Sequence, residues 1–457
     1  MKQYLRSALL GKKVLILGFG REGQSTLRLL REIMPVEGIT ISDQNETLVQ
    51  THPSIIECNL QTKSGIDYLS GLNDFDVIIK SPGIQLDPDK VSFDPFKITS
   101  QTDLFLSVYS KQIVGITGTK GKSTTCSLLY HIINTYSGDA LLGGNIGIPL
   151  FELIDDIAPG TKIICELSSH QLEYIHTAPH ISVLLNLYQE HLDHYKSFYH
   201  YQKAKFNIAT AQKAGDYFIY AVSDKNIKML LDEIPVPGIP LPFYDDKLTG
   251  NGIGISNDEI ILQCENLVKN ILPFNFKTNL VGNHNRNNAI IASAVAVLLD
   301  VPSEAIEKAL ITFNPLEHRI EFVGNINGVR YYNDSISTIP EAAIAAVESL
   351  KPIDTLILGG FDRGIDYLPL VQYLDKTAIQ NVVLTGPAGY HLFELINDSC
   401  AATDLYYFES FDQSVEKAIS ITPKGGICLL SPAASSYNEF KNFEERGKRF
   451  KMLVQQS

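Results

Sequence analysis

Twice in this chain an apolar run of strand length breaks into a glycine-rich loop that opens directly into helical periodicity. The first is VLILGFGREGQST, starting at Val14 and containing Gly18-x-Gly20-x-x-Gly23. The second is GITGTKGKSTT, starting at Gly115. A short run without polar alternation is buried on both faces, as in a parallel strand covered by helices. Each junction therefore dictates α/β architecture with a crevice at the carboxyl end of a strand. There, backbone N–H groups and a helix N-terminus favour an anion. Two such loops ask for two phosphorylated ligands.

The same grammar runs through the whole chain. KVLILG, GITISD and FDVIIKSPG read as buried strands of a first region, with GQSTLRLLREIM as a helix between them. KQIVGITG, TKIICELSSHQLE and PHISVLLNL belong to a second, and GVRYYNDS, IDTLILGG, AIQNVVLTG and GGICLLSP to a third. LVGNHNRNNAIIASAVAVLLD reads as a loop feeding an apolar helix. The stretch from about 236 to 262, rich in Pro, Gly, Asn and Asp, reads as a turn-dense excursion. A chain of 457 residues exceeds one ordinary core. Three α/β domains are expected: a Rossmann-like one over 1–100, a central P-loop ATPase type over 101–315, and a second Rossmann-like one over 316–457.

Composition narrows the function classes. A net charge of −13 excludes a broad surface for nucleic acid while leaving room for a local phosphate pocket. The six cysteines contain no C-x-x-C pair, and several lie in apolar runs as small hydrophobes, which fits a reducing cytosol. The start, MKQYLRSALLGKKV, turns polar too soon for a secretory leader. No apolar stretch approaches the ~20 residues that span a bilayer. A soluble, cytoplasmic protein without membrane insertion is expected.

In the second loop, Gly118 and Gly121 let backbone N–H groups face phosphate oxygens, Lys122 reaches toward terminal phosphates, and the Ser123 hydroxyl suits Mg²⁺. The usual G-x-x-x-x-G-K-[ST] spacing is missed, because Ile116 through Lys120 separate Gly115 from Gly121. Glu166, closing KIIC, is a carboxylate delivered by a strand to the same crevice. EHLDHY holds His191, Asp193 and His194 close together, and Lys203 and Lys205 follow on a helix; spacing alone does not single out Lys205. Asp43, twenty residues after Gly23, admits a nicotinamide reading of the first loop, but that reading leaves the second loop and Glu166 unexplained.

In order, GITGTKGKST, GGNIGIP, CELSSHQLE, HLDHY with AKF, GNHNRNNA, EHRIE, NDSISTIPEA and LSPAASSYNEFKNFEERGKRF resemble the Mur ligase family over essentially the whole length. The resemblance implies an ATP-dependent amide ligase of peptidoglycan precursor synthesis. D-glutamate would be joined to UDP-N-acetylmuramoyl-L-alanine through an acyl phosphate, by a monomer using ATP and two Mg²⁺ ions. It implies that Gly118, Thr119, Lys120, Gly121, Lys122, Ser123 and Thr124 cradle ATP, with Asn285, Asn288, Arg319 and Asp334 also serving the nucleotide. Ser123 and Glu166 would bind one Mg²⁺; His191 and a CO₂-carbamylated Lys205 would serve the other, and Lys122, His191 and Lys205 would be the catalytic groups. The first loop would hold the uridine diphosphate portion through Gly18, Gly20, Arg21, Glu22, Gly23, Gln44, Asn45, Ser81 and Gly83. Asn145, Ser168, Gln171 and His191 would line the muramyl-alanine arm, and Thr338, Arg363, Ser436 and Phe443 the acceptor. Lys120, Ile336 and Arg363 depart from the family pattern, which usually has Asn, Lys and Lys there. Another ligase of the same fold, with a different acceptor or of the folylpolyglutamate synthase type, is the rival reading.

Overall fold

The computed structural model describes residues 1–146, 148–190, 194–264, 267–397 and 404–457. Its strands form three sheets. The first contains β1 (Val14–Leu17), β2 (Ile39–Asp43), β3 (Gln61–Ser64), β4 (Val77–Lys80) and β5 (Ile98–Thr99), in the order β3-β2-β1-β4-β5. All its pairings are parallel. β1 shows why the sequence there is uninterrupted: Val14 and Ile16 enter one buried cluster while Leu15 and Leu17 enter another. Both faces are covered, so neither can be polar.

The second sheet contains β6 (Ile113–Thr117), β7 (Ala140–Gly144), β8 (Lys162–Glu166), β9 (Ile181–Leu184), β10 (Tyr217–Ala221), β11 (Ile239–Lys247), β12 (Gly252–Ser256), β13 (Glu259–Cys264) and β14 (Leu267–Pro273). Its order is β14-β13-β12-β11-β10-β9-β6-β8-β7. The chain leaves β6 for one side of the sheet and returns through β9 to the other. That reversal opens a crevice at the carboxyl end of β6, above the second glycine loop.

The turn-dense reading of 236–262 gives way here, because the segment supplies β11, β12 and most of β13. Its prolines are tolerated for a geometric reason. Ile239 N donates to Asp216 O and Phe243 O accepts from Val222 N, so this phase of β11 bonds toward β10. Pro240 and Pro242 lie in the opposite phase, facing a side where β12 pairing begins only at Phe243. A missing N–H costs no ladder bond there.

The third sheet contains β15 (Glu321–Ile326), β16 (Val329–Asn333), β17 (Thr355–Gly359), β18 (Asn381–Thr385), β19 (Asp404–Phe408) and β20 (Ile427–Leu430). Its order is β15-β16-β20-β17-β18-β19, antiparallel only at β15. It too is covered on both sides: Leu356, Leu358 and Leu429 face one cluster, and Ile357, Cys428 and Leu430 the other. Compact units divide the chain into Met1–Lys277 with Asn287–Ile311, carrying the first two sheets, and Thr278–Arg286 with Thr312–Ser457, carrying the third. An amphipathic helix that the sequence reading did not anticipate, Lys2–Leu9, buries Leu5 and Leu9 against the first unit.

Gly23 marks the tightest backbone approach in the first loop, since a Cβ there would stand 2.1 Å from Gly18 O. Backbone cannot yield as a flexible side chain does. Gly23→Ala is expected to destabilise the protein by about 1–3 kcal/mol in urea unfolding, the usual range for overpacking. An unchanged midpoint would show that the loop is free to shift.

Candidate functional site

The loop after β6 is held in shape before any ligand is considered. Asn186, just beyond β9, accepts Lys120 N on Oδ1 at 2.8 Å and donates Nδ2 to Lys120 O at 3.0 Å, while its own carbonyl accepts Thr119 N at 2.9 Å. Thr119 Oγ1 accepts Tyr188 N at 2.9 Å and sits 3.0 Å from the Tyr201 hydroxyl. Gly121, at φ +86°, caps the helix Lys122–Tyr136, and a Cβ on it would fall 2.7 Å from Asn288 Oδ1. Ser123 and Thr124 occupy the first turn of that helix, where N–H groups lack intrahelical acceptors. Lys122 Nζ lies over the loop, donating to Gly118 O at 2.9 Å and Thr119 O at 3.0 Å.

Beside this cradle stand two buried charged residues. Glu166 ends β8 at 2% exposure; Oε1 accepts Asn145 Nδ2 at 2.7 Å, while the buried Oε2 has no hydrogen-bond partner among the described residues. A carboxylate oxygen kept from water and from any donor calls for a cation. Lys205, from the helix Phe198–Thr210, is also 2% exposed and donates to Gly118 O at 3.0 Å. Burial, reinforced by the charge of Lys122, drives its pKa well below the usual ammonium range. His191 lies outside the described residues, as does Asp193.

At the first loop the structure gives Asp43 other work than ribose binding. Its carboxylate accepts Phe19 N at 2.6 Å and Asn45 N at 2.8 Å, clamping the β1 and β2 exits together. Gly18, at φ +92°, has its carbonyl bonded by Ser81 Oγ at 2.8 Å across the switch between β1 and β4. Gly20, Arg21, Gln44, Asn45 and Gly83 are exposed along this edge. Asn45 caps the helix Glu46–Thr51, and Ser168 forms a capping box with Gln171. Gln171 Nε2 donates to Glu22 Oε1 at 2.7 Å; Glu22 Oε2 is buried without a hydrogen-bond partner among the described residues, and burial raises the Glu22 pKa. The motif reading passed over Lys80, which is 2% exposed and reaches Glu173 Oε2 at 3.4 Å. It links β4 to the SSHQLE segment, and only its burial could have signalled this.

In the second unit, Asp334 lies close enough to Arg319 to feel its charge. Asp334 Oδ2 accepts Ser431 Oγ at 2.7 Å and Oδ1 accepts Ile320 N at 3.2 Å. Arg319 Nε is buried without a hydrogen-bond partner among the described residues, between His318 and Ile320, both at positive φ. Asn285 belongs to this unit, with Nδ2 donating to Val281 O at 2.8 Å. Arg363 donates to Thr338 O at 2.9 Å; Ser436 is buried; Phe443 opens the C-terminal helix, with its ring edge-on to His318.

The description "Mur ligase middle domain" matches residues 116–296, and "Mur ligase, glutamate ligase domain" matches residues 318–434. Curated relatives cover the chain almost end to end. One, from Caldanaerobacter subterraneus subsp. tengcongensis, is 32% identical, over 97% of this chain and 98% of its own length. Another, from Christiangramia forsetii, is 34% identical over 97% of this chain and 99% of its own. Both are named UDP-N-acetylmuramoylalanine–D-glutamate ligase. The chain belongs to the Mur ligase family. Solved structures agree on the fold: a MurF ligase from Thermotoga maritima in complex with ADP has a TM-score of 0.57 at 15% identity, covering 99% of this chain and 97% of that one. MurF from Acinetobacter baumannii reaches a TM-score of 0.61 at 14% identity, covering 96% of this chain and 90% of that one.

The positions that depart from the family pattern have definite surroundings in this Mur ligase. Lys120 Nζ reaches Glu190 Oε1 at 2.5 Å, so its added charge is paired. Ile336 N donates to His318 O at 3.1 Å, tying its loop to the Arg319 turn by backbone alone. Arg363 is exposed, with its guanidinium anchored on Thr338 O.

Burial pushes the Asp334 carboxyl up to about 6. A raised folded pKa stabilises below the unfolded value and loses that contribution as pH rises through the folded one. Between about pH 4 and pH 7 the wild type should therefore lose about 3 kcal/mol relative to Asp334→Asn, measured by chemical denaturation. A flat difference would contradict a buried, high-pKa carboxyl.

Proposed function

We propose that this Mur ligase joins D-glutamate to the alanyl carboxylate of UDP-N-acetylmuramoyl-L-alanine, cleaving ATP to ADP and phosphate. The observation that carries the reading is Glu166 Oε2, a buried carboxyl oxygen without a donor among the described residues, beside a lysine-bearing loop at a helix N-terminus. The activity printed for relatives that match the chain along its whole length supports the choice of substrates. That Glu166, Lys122 and Lys205 lie around one loop supports ATP as the activating substrate.

In this reading residues 1–100 take the uridine diphosphate portion, 101–315 take ATP, and 316–457 contact the acceptor. The alanyl carboxylate attacks the γ-phosphorus and ADP leaves, giving an acyl phosphate. The D-glutamate amine then attacks the acyl carbon, losing a proton as phosphate departs. Lys122 lowers the repulsion between two anions that must meet. Ser123 and Glu166 would hold one Mg²⁺, and His191 with modified Lys205 the other; bound Mg²⁺ neutralises charge on phosphate oxygens. Lys205 suits carbamylation because burial favours its unprotonated amine. The Nζ lone pair would add to CO₂ and shed a proton, leaving an anionic oxygen ligand suited to a hard cation. The proposed site of action is the cytoplasm; among the described residues no helix is long and apolar enough to cross a membrane.

Phosphate release measured as each substrate is omitted in turn tests the proposal, with a panel of amino acids as acceptors. Release should require ATP, the uridine-linked alanyl sugar and D-glutamate together. Preference for another amino acid would favour a sister ligase, and triphosphate-independent turnover would refute the reading. Lys122→Ala and Glu166→Ala are each expected to cut ADP formation at least about 100-fold, the order seen when one transition-state charge contact is lost. Lys205→Ala should be inactive and partly restored by a short carboxylate; full activity without it would remove the carbamate from the mechanism.

A further inference from the structure

Arg446 is the largest side chain fully buried in the described structure, at 1% exposure, on the second turn of the helix Phe443–Gln455. Its guanidinium makes four hydrogen bonds. Nε donates to Ser335 Oγ at 3.0 Å and Nη2 to Ser335 O at 2.8 Å. Nη2 also donates to Ala434 O at 3.0 Å, and Nη1 to Ser435 O at 3.2 Å. Every acceptor is a carbonyl or a hydroxyl. Among the described residues no carboxylate pairs with it, and burial alone pulls its pKa down to about 9.

A buried cation without a counter-charge is expensive, and a hydrophobic side chain of similar volume is often the more stable choice. The positions that Arg446 ties together suggest what the charge does. Ser335 lies three residues before Thr338, and Ser435 immediately precedes Ser436. Ser435 O also accepts Phe361 N at 2.8 Å, two residues before Arg363. Ser335 Oγ in turn donates to Phe443 O at 2.8 Å, and Phe443 stands three residues before Arg446 on one helix. The four residues assigned to the acceptor thus sit on four segments joined to one guanidinium: those of Thr338 and Ser436 bond it directly, that of Arg363 bonds the shared Ser435 O, and Phe443 lies on its own helix. Arg363 closes the ring by bonding Thr338 O at 2.9 Å.

We propose that Arg446 is the positioning residue of the acceptor pocket. It fixes the Ser335, Ser435 and Phe443 segments relative to one another, and its uncompensated charge biases that pocket toward a dicarboxylate amino acid. The inference rests on the reading that Thr338, Arg363, Ser436 and Phe443 contact the acceptor. The planar five-donor fork suits the hub role, because it bonds three backbone carbonyls at once without being deprotonated.

The test compares Arg446→Lys, Arg446→Gln and Ser335→Ala in the full chain, with KM measured separately for ATP, the uridine-linked alanyl sugar and the acceptor. Arg446→Gln should raise the acceptor KM at least tenfold while the other two KM values stay within about twofold. Arg446→Lys, which keeps charge but loses the fork, should recover part of that loss. Ser335→Ala removes one acceptor of the network without removing the charge, and should raise only the acceptor KM, by a few-fold. Equal rises for all three substrates, or a fall in kcat with KM values unchanged, would overturn the proposal. Should both Arg446 variants fail to fold, Ser335→Ala decides: no change in acceptor KM refutes it. The measurement uses whichever amino acid the wild type accepts best, so a wild type that refuses D-glutamate sinks the functional reading and leaves Arg446 to be judged separately.

Discussion

Parallel strands covered on both faces leave their ends as the place for chemistry, and everything polar in this molecule follows from that. β1, β6 and β17 spend both side-chain directions on apolar clusters or close packing. Polar side chains and glycine turns are therefore gathered at or just beyond the carboxyl ends: Gly18 and Ser81 in the first sheet, Gly118 and Glu166 in the second, Asp334 and Ser431 in the third. Helix N-termini collect at the same edge, which makes it the electropositive side of each sheet. Three sheets repeat one solution.

Buried ionisable groups are the second theme. Glu166 and Lys205 are each 2% exposed, and Arg446 1%. A structure selected for stability alone would replace such groups. Each here is anchored by contacts to backbone, amide or hydroxyl groups, and among the described residues none has an opposite charge at hydrogen-bond distance.

How far the sequence revealed this depended on which property carried the signal. The sheet cores were legible because burial on both faces writes itself as uninterrupted Val, Ile and Leu. β3, with the polar QTKS, was not, and neither were β11 to β13, where prolines and glycines imitate turns. Turn chemistry is local, but whether a proline disturbs a sheet depends on which neighbour its nitrogen faces. The same divide runs through the site. Lys122, Ser123 and Glu166 follow from strand–loop–helix order. Lys205, Lys80, Asn186 and Arg446 owe their significance to burial and to partners distant in sequence, which spacing does not encode. The structure also gives the acidic residue of the first fingerprint, Asp43, a different meaning: its oxygens are engaged by Phe19 N and Asn45 N.

Asn186 bonds the second glycine loop through its carbonyl and both ends of its amide. A loop with two glycines would otherwise sample many shapes, and a phosphate-bearing ligand would have to select one of them on arrival. Stapled by one asparagine, the loop has already given up that freedom during folding. On the proposed reading, little ordering entropy then remains to weaken capture of the nucleotide, which meets a mould cast in advance.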